Sequence, residues 1–356
     1  MSSSRPAMRV TSDRPTPAAD WDARAVEVQG GHVMQSATWG AYRAALGWEP
    51  HFLTFDDERV ALVLLRSSAG LPGAEAVARR GPAHAGEEAE ASSARAAALA
   101  TWAREAGART LFLDPERPAD ALYARAMDGA GFEVTAGLEP SIHVMRRALA
   151  PDLDDEALLR SFSKSTRQRI RAAEKAGVTV VESRERGAME AFARLLHERA
   201  DVVGMQLQAG TGFTEAWRRL IEADLGRLLL AEHEGELIGG LFLFRQGGIW
   251  STAYSADRAS KRKALPGAMH LVRWTAIRAA HQEGCPAIEL GGVDLPGHRQ
   301  PPQPGDPNRG LYEHKRGFGA EWVEREPARR IVLRAGAERL AVARRRLIDG
   351  LRGVRR

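Results

Sequence analysis

Cysteine is almost absent from this chain, because Cys285 is its only one among 356 residues. A single thiol excludes an internal disulfide and a multi-cysteine zinc site, and it fits a reducing cytoplasm. The chain also lacks any run of about 18 apolar residues, which argues against a membrane-spanning helix. These absences predict a cytoplasmic globular protein.

The ten histidines lack the spacing that metal ligands show. Five of them are scattered among unrelated segments: His197, His233, His270, His281 and His298. Neither a G-x-S-x-G nucleophile elbow nor a phosphate-binding P-loop occurs in the sequence. We therefore expect neither a bound metal nor a catalytic triad.

What is present suits two ordinary folded domains. The composition is 44% hydrophobic and 27% charged, as in soluble globular proteins, and the length allows two sizeable cores. The first segment, Met1–Asp20, is rich in Ser, Pro and Arg and has no apolar centre. We predict that residues 1–20 form a disordered leader and not a signal peptide.

Positive charge is concentrated at the C-terminus. The net charge is +5, but residues 329–356 hold ten arginines and two acids and so carry +8, which leaves −3 for the remainder. Residues 336–356 are expected to form a basic helix or tail with Leu340, Leu347 and Leu351 roughly on one side. Such a helix suits an anionic lipid surface or tRNA, and a solvated terminus is the plain alternative.

One order of elements occurs twice along the chain. In the second half, two predicted strands, a third strand, a helix and a short buried strand follow one another: Leu228–Leu230, Leu237–Arg245, Ile249–Tyr254, Ala268–Glu283 and Ala287–Leu290. In the first half the matching segments are His51–Phe55, Val60–Arg66, Glu75–Arg80, Ala89–Ala106 and Thr110–Leu113. This order is typical of the GNAT (acyl-CoA N-acyltransferase) fold. The repeat predicts two α/β lobes, residues 21–150 and 151–319, each a mixed sheet flanked by helices, with ligands in an interlobe cleft.

A cationic helix is predicted between the lobes, from Ser161 to Gly177. Its residues Arg167 and Arg171 lie four apart and therefore share one face. That face is suited to phosphate contact, but charged runs are commonly just solvated. Both interpretations remain open from the residues alone.

Several motifs together resemble one family. They are Gln35-x-x-x-Trp39-x-x-x-Arg43, Arg80-Gly81-Pro82, Leu113-Asp114-Pro115, Arg167-x-x-Ile170-Arg171, Gly291-Gly292-Val293-Asp294 and Leu311-Tyr312-x-His314-Lys315-Arg316-Gly317-Phe318-Gly319. In this order, over residues 30–335, they resemble the FemAB/FemX family of peptidoglycan-bridge aminoacyltransferases. The resemblance implies two GNAT-like lobes, with residues 320–335 returning to the first.

The resemblance also implies a reaction. An amino acid would pass from aminoacyl-tRNA to an amine on the stem peptide of a peptidoglycan precursor, either lipid-linked or nucleotide-linked. The setting would be the cytoplasm or the inner membrane face, and contact with an anionic membrane is a further expected partner. The ester donor is already activated, so no cofactor and no covalent intermediate are expected. The chemistry needs removal of a proton from the amine, stabilisation of an oxyanion, and cations for the phosphates.

Three candidate catalytic residues follow from these motifs. Lys315 would meet the donor phosphate or the developing charge, and outside the motif it would be an exposed hairpin lysine. Asp114 follows a buried strand, where it would order the acceptor amine or simply cap an Asp-Pro turn. Tyr254 ends a strand, and its hydroxyl would orient a substrate amide or bond at the edge of the core.

The candidate substrate-binding residues are basic or aromatic. They are Arg43, Arg199, His314, Arg167 and Arg171. Arg43 stands where the family often has a basic residue for the phosphate of the precursor. His314 replaces the family's aromatic residue before the lysine, where a ring would stack on a terminal base. For Arg199, an ion pair with a neighbouring acid is the alternative to a role in substrate binding.

Two other functions remain open. The first is an acyl-CoA-dependent N-acyltransferase acting on a small-molecule or polysaccharide amine. Residues Lys261–Ala268 stand where such enzymes bind pyrophosphate, but they offer one glycine and a proline beside three consecutive cations. The second is a non-catalytic module that binds tRNA or membrane through the basic tail.

Overall fold

The computed structural model describes residues 8–84, 86–136, 143–203, 212–295 and 298–353. The chain divides into two compact units, each built on a seven-stranded mixed sheet. The first unit consists of Met1–Pro140 with Glu326–Arg356, and the second is Ser141–Arg325. This architecture agrees with the predicted pair of α/β lobes.

The first sheet has the strand order β1-β2-β3-β4-β5-β14-β6. Its strands are β1 (Val10–Arg14), β2 (Glu49–Phe55), β3 (Val60–Arg66), β4 (Ala74–Ala78), β5 (Ala108–Leu113), β6 (Glu133–Val134) and β14 (Arg329–Val332). The helices of this unit are α1 (Trp21–Ala25), α2 (Ala37–Ala45), α3 (Ala89–Glu105), α4 (Ala121–Gly129) and α11 (Ala335–Gly353). Only β4 and β5 pair in parallel; the other neighbours are antiparallel. That parallel pair is joined by the Ala-rich α3, as a crossover connection requires.

The second sheet has the order β13-β7-β12-β11-β10-β9-β8. Its strands are β7 (Val144–Ala148), β8 (Thr179–Glu182), β9 (Gly226–His233), β10 (Glu236–Gln246), β11 (Ile249–Asp257), β12 (Ala287–Glu289) and β13 (Glu321–Val323). Its helices are α5 (Asp155–Arg160), α6 (Lys164–Lys175), α7 (Arg186–Val203), α8 (Gly212–Glu222), α9 (Ala268–Gln282) and α10 (Arg309–Arg316). Here β11 and β12 form the parallel pair, joined by α9.

Both faces of the second sheet are packed. On one face, Ile170 of α6 and Val272 of α9 lie in a core with Leu241 and Leu243. On the other, Trp217 of α8 stacks on Phe242 with ring centroids 4.9 Å apart. Such double coverage explains why the central strands read as continuous apolar runs in the sequence.

The predicted disordered leader is wrong over part of its length. Strand β1 pairs antiparallel with β2 at the edge of the first sheet. Polar side chains fix it there, because Asp13 lies 3.0 Å from Nδ1 of His51 and accepts a hydrogen bond from Nε1 of Trp102 at 3.2 Å. An edge strand needs hydrogen bonds to only one neighbouring strand, so a polar sequence can form it. Residues 1–7 lie outside the described part.

The predicted lobe boundaries also differ from the structure. The prediction places residues 21–150 in the first lobe, but β7 pairs with β12 and β13 in the second sheet. Of the segment 320–335, β13 stays in the second sheet and only β14 enters the first, between β5 and β6. Strand partners come from distant parts of the chain, so local patterns give the strands but not the sheet.

Candidate functional site

Strands β11 and β12 separate at a pair of glycines in the second unit. Their parallel register covers Trp250 with Ile288 and Ser251 with Glu289, after which β12 ends and β11 continues. Gly291 follows with a φ of +78°, a conformation that L side chains rarely adopt. A Cβ at this position would lie 2.9 Å from the Thr252 carbonyl oxygen and 3.5 Å from Nζ of Lys315.

Lys315 brings its amine to this point from α10. Its Nζ donates a hydrogen bond to the Gly292 carbonyl oxygen at 2.6 Å, and the residue is 3% exposed. The alternative of an exposed hairpin lysine is therefore wrong. Burial lowers the pKa of Lys315 well below its usual range, the Arg273 guanidinium lowers it further, and Asp294 acts in the opposite direction.

Asp294 of the Gly-Gly-Val-Asp motif holds the loop beside this lysine. Its Oδ2 accepts a hydrogen bond from the His143 backbone N–H at 2.8 Å, and its carbonyl oxygen accepts one from Nδ2 of Asn308 at 2.9 Å. His143 in turn accepts from the Arg325 backbone N–H through Nδ1 at 3.0 Å. The loop that begins at Gly291 is thus tied to β7 and to the start of α10.

Three side chains next to Lys315 form a directed hydrogen-bond chain. Nε of Arg273, on α9, donates to Nε2 of His314 at 2.9 Å. His314 must then carry its proton on Nδ1, which lies 3.1 Å from Nε2 of His270. No spacing in the sequence joins His270 to this site, because its partner His314 lies on another helix.

Burial keeps both rings of this chain neutral. It lowers the pKa of His270 to about 4, with Arg169 and Arg273 adding to the effect. Burial and the Arg273 charge lower the pKa of His314 by more than that of His270. Both nitrogens of His314 are used inside the protein, and its ring lies at a T-shaped angle to Phe318 with centroids 5.4 Å apart. Base stacking by His314 stays a prediction.

The last residue of β12, Glu289, carries a buried carboxylate that is hydrogen-bonded by four side chains. Glu289 is fully buried and accepts hydrogen bonds at 2.6 Å from Nη2 of Arg146 and from Nη2 of Arg325. Its second oxygen accepts from Nε2 of Gln246 at 2.6 Å and from the Ser251 hydroxyl at 3.2 Å. No sequence motif reveals this cluster, because its members come from distant segments of the chain.

Tyr254 and Arg199 occupy other parts of the second unit. The half-buried Tyr254 ring lies among aromatic side chains, 5.6 Å from Trp217 and 6.1 Å from Phe244 between centroids. Arg199 is half-buried on α7, and within the described ranges it makes no ion pair. Their roles toward a substrate stay predictions.

On helix α6, the two arginines predicted to share one phosphate-binding face have different surroundings. Nη1 of Arg167 donates to the carbonyl oxygens of Arg160 (3.0 Å) and Phe162, where α5 ends. It thereby satisfies backbone acceptors that a helix end leaves unpaired. Arg171 is exposed. Only Arg171 has its side chain directed to solvent, so the two residues are expected to behave differently.

Substitution separates these roles. We expect Arg171→Gln to leave the melting temperature unchanged but to weaken tRNA binding and lower its salt-dependence slope by about one. Arg167→Gln should instead lower the free energy of unfolding by about 1–2 kcal/mol, because two carbonyl groups lose their partner. Thermal melts and tRNA titrations at several salt concentrations measure both. Equal melting losses in the two variants would contradict this division.

In the first unit, Asp114 holds the Arg80-Gly81-Pro82 segment. Its Oδ1 accepts a hydrogen bond from the Arg80 backbone N–H at 2.5 Å, and Arg80 has a φ of +51°. Gln35 fixes the preceding residue, because its Nε2 donates to the Arg79 carbonyl oxygen at 2.8 Å. The motifs that contain Gln35 and Asp114 therefore both contact the segment of the Arg80-Gly81-Pro82 motif. The role of Asp114 toward the acceptor amine stays a prediction.

Arg43 lies over an indole ring. Its guanidinium carbon is 4.8 Å from the centroid of Trp48, and that of Arg66 is 5.4 Å from the same ring. Cation–π contacts of this kind hold a guanidinium in place while leaving its charge intact. Arg43 thus belongs to a small basic cluster of the first unit, at the C-terminal end of α2.

Within the part of the chain that the structure describes, no group of three or more His, Cys, Asp or Glu side chains is placed to hold a metal ion. Among the same residues, no helix combines the length and apolar character that crossing a membrane demands.

Comparison with known proteins identifies two matching family models. The FemAB family model matches residues 18–209, more than half of the chain, and a GNAT acetyltransferase domain model matches residues 160–316. No curated protein matches significantly.

Solved structures with the same fold include three that cover nearly the whole chain. The crystal structure of FemX is 19% identical, with a TM-score of 0.76. The alignment covers 93% of this chain and 99% of the FemX chain. A conserved protein of unknown function from Bacteroides thetaiotaomicron is 12% identical (TM-score 0.53; 90% and 98% covered). A tandem GNAT protein from the clavulanic acid biosynthesis pathway is 15% identical (TM-score 0.50; 90% and 98% covered). These likenesses confirm the duplicated GNAT-like fold.

Proposed function

Since this chain belongs to the FemAB family, we propose that it transfers an amino acid from aminoacyl-tRNA to an amine on the stem peptide of a peptidoglycan precursor. The two family matches agree on acyltransferase chemistry. The donor would be a substrate, and no resident cofactor is proposed. The observation that carries the proposal is the buried Lys315 amine where β11 and β12 separate.

The proposed reaction needs one proton acceptor and one stabilised oxyanion. The nitrogen of the acceptor attacks the ester carbonyl carbon, a C–N bond forms, and the carbonyl oxygen becomes an oxyanion. The C–O bond then breaks, and the ribose oxygen of tRNA leaves and takes up a proton. The nitrogen loses one proton in the same sequence, so the charges balance.

Lys315 is the proposed carrier of that proton. Its lowered pKa gives the amine a neutral fraction, which can accept the proton of the acceptor and pass it to the leaving ribose oxygen. The neighbouring Arg273 remains a cation, although burial lowers its pKa to about 10. Its positive charge favours the neutral lysine and stabilises a nearby oxyanion.

The start of α9 favours this donor over acyl-CoA. A Cβ on Gly267 would lie 1.9 Å from the Arg169 carbonyl oxygen, so the backbone of α6 lies against the residue that precedes α9. Nη1 of Arg169 also donates to the Pro266 carbonyl oxygen at 3.2 Å. Acyl-CoA enzymes use such a helix start to bind pyrophosphate with backbone N–H groups. Here Pro266 lacks an N–H and α6 occupies the adjacent space.

An acyl-CoA-dependent N-acyltransferase is the second candidate, because a GNAT domain model matches residues 160–316. Incubation with a panel of charged tRNAs and a nucleotide-linked pentapeptide separates the two. We expect a product heavier by one aminoacyl residue with a subset of the tRNAs. Acetyl-CoA should give no product and no saturable binding. Acetylated product without any tRNA-dependent product would contradict the proposal.

A further inference from the structure

Helix α11 is fixed to the first unit by one of its faces. Glu338 is 6% exposed, and its Oε2 accepts a hydrogen bond from the Thr110 hydroxyl at 3.0 Å and lies 3.4 Å from Nε of Arg109. Ala341, one turn later, is 1% exposed. Arg344 donates to the Ala69 carbonyl oxygen. The helix is thus a folded part of this unit and not a frayed tail.

A second face of α11 exposes leucine. Leu340 is 58% exposed and Leu347 is 68% exposed. Each residue turns a helix by about 100°, so Leu340 lies about 200° from Glu338 and about 100° from the buried Ala341, and Leu347, seven positions on, returns to the face of Leu340. The two leucines therefore lie on a face beside the buried one and are open to solvent.

Arginines border this leucine face. Arg339 and Arg346 are also seven positions apart, and both are exposed. From 339 to 353 the sequence holds five arginines against one aspartate. A helix with exposed leucines and flanking arginines has the charge and apolar pattern of one that lies in the surface of an anionic membrane.

We propose that α11 docks this protein on an anionic lipid surface. Leu340 and Leu347 enter the boundary between headgroups and acyl chains, and the arginines contact lipid phosphates. The exposed leucines favour lipid over tRNA as the ligand. RNA phosphates would pair with the arginines but would leave the leucines in water. Docking of this kind is independent of the donor and acceptor proposed above.

Sedimentation of the full chain with vesicles tests the proposal. We expect binding to phosphatidylcholine vesicles that contain phosphatidylglycerol, weakening at high salt, and none to phosphatidylcholine alone. Leu340→Ser combined with Leu347→Ser should lower the binding constant on the order of tenfold. Arg339→Gln combined with Arg346→Gln should lower it roughly 30-fold. Leu122→Ser is the matched control, since Leu122 is 53% exposed on α4 of the same unit.

The outcomes are distinct. Full binding by the double leucine variant, equal binding to neutral vesicles, or no binding of the parent would overturn the proposal. Loss of tRNA binding in the arginine variant, with no vesicle binding by the parent, would assign the surface to tRNA. Melting temperature and activity on a nucleotide-linked acceptor without vesicles should match the parent in every variant. Those readouts separate a docking defect from misfolding and from failure of the proposed function.

Discussion

Lys315→Met is expected to reduce aminoacyl transfer at least 100-fold while leaving the protein folded. The variant removes the proposed proton carrier at the separation of β11 and β12, and single groups of this kind contribute about 10²–10⁴-fold. Methionine fills the same space without a polar atom, so stability should be unchanged or higher. Measurements of kcat/KM with charged tRNA and of the melting temperature check both parts.

Two companion variants sharpen this result. Lys175→Met removes an exposed lysine in the last turn of α6 and should change kcat/KM less than twofold. Lys315→Arg keeps a cation but cannot release its proton near neutral pH. If Lys315→Arg retained activity, the residue would act through its charge and not as a proton carrier. Full activity of Lys315→Met would remove Lys315 from the chemistry.

The lowered pKa of Lys315 also predicts a pH dependence of stability. In the unfolded chain this lysine titrates near 10.5, and in the folded chain it titrates well below that value. Between the two pKa values the unfolded state binds more protons, so stability rises with pH through this window and levels off above the unfolded pKa. Lys315→Met should lack this contribution. A parent-minus-variant difference in unfolding free energy that stays flat with pH would contradict it.

Glu289→Gln is expected to lower the free energy of unfolding of the second unit by about 3–5 kcal/mol. The change removes the negative charge that Arg146 and Arg325 share, and Arg325 is only 3% exposed. The buried guanidinium of Arg325 would then lose the carboxylate charge that Glu289 supplies. For a unit of this size the melting temperature should fall by about 10 °C, measured by calorimetry.

A surface pair supplies the matched control. Glu324 lies 2.8 Å from Nη2 of Arg299, with both side chains 42% exposed. Because solvent screens such pairs, Glu324→Gln should cost about 0–1 kcal/mol. If both glutamine variants melted at the same temperature, the Glu289 cluster would not stabilise the end of β12.

The sequence was sufficient for the elements of the repeated order and for the family. The helix predicted over Ala268–Glu283 is α9 (Ala268–Gln282) in the structure, and the strand predicted over Val60–Arg66 is β3 with the same bounds. The repeated element order predicted two α/β units, and the ordered motifs identified the family that the FemAB model confirms. These signals lie within short windows, so local propensity and periodicity carry them.

Only the tertiary structure decided which strands pair and what surrounds each candidate residue. Strand β1 forms from a polar leader because β2 offers it an edge, and β7 joins the second sheet because β12 and β13 flank it. Lys315 is buried against the Gly291–Gly292 turn, and this burial and the Arg273 charge lower its pKa. Burial and charge depend on neighbours that are distant in sequence. A sequence motif therefore identifies Lys315 as a candidate, whereas the fold determines the pKa of its amine.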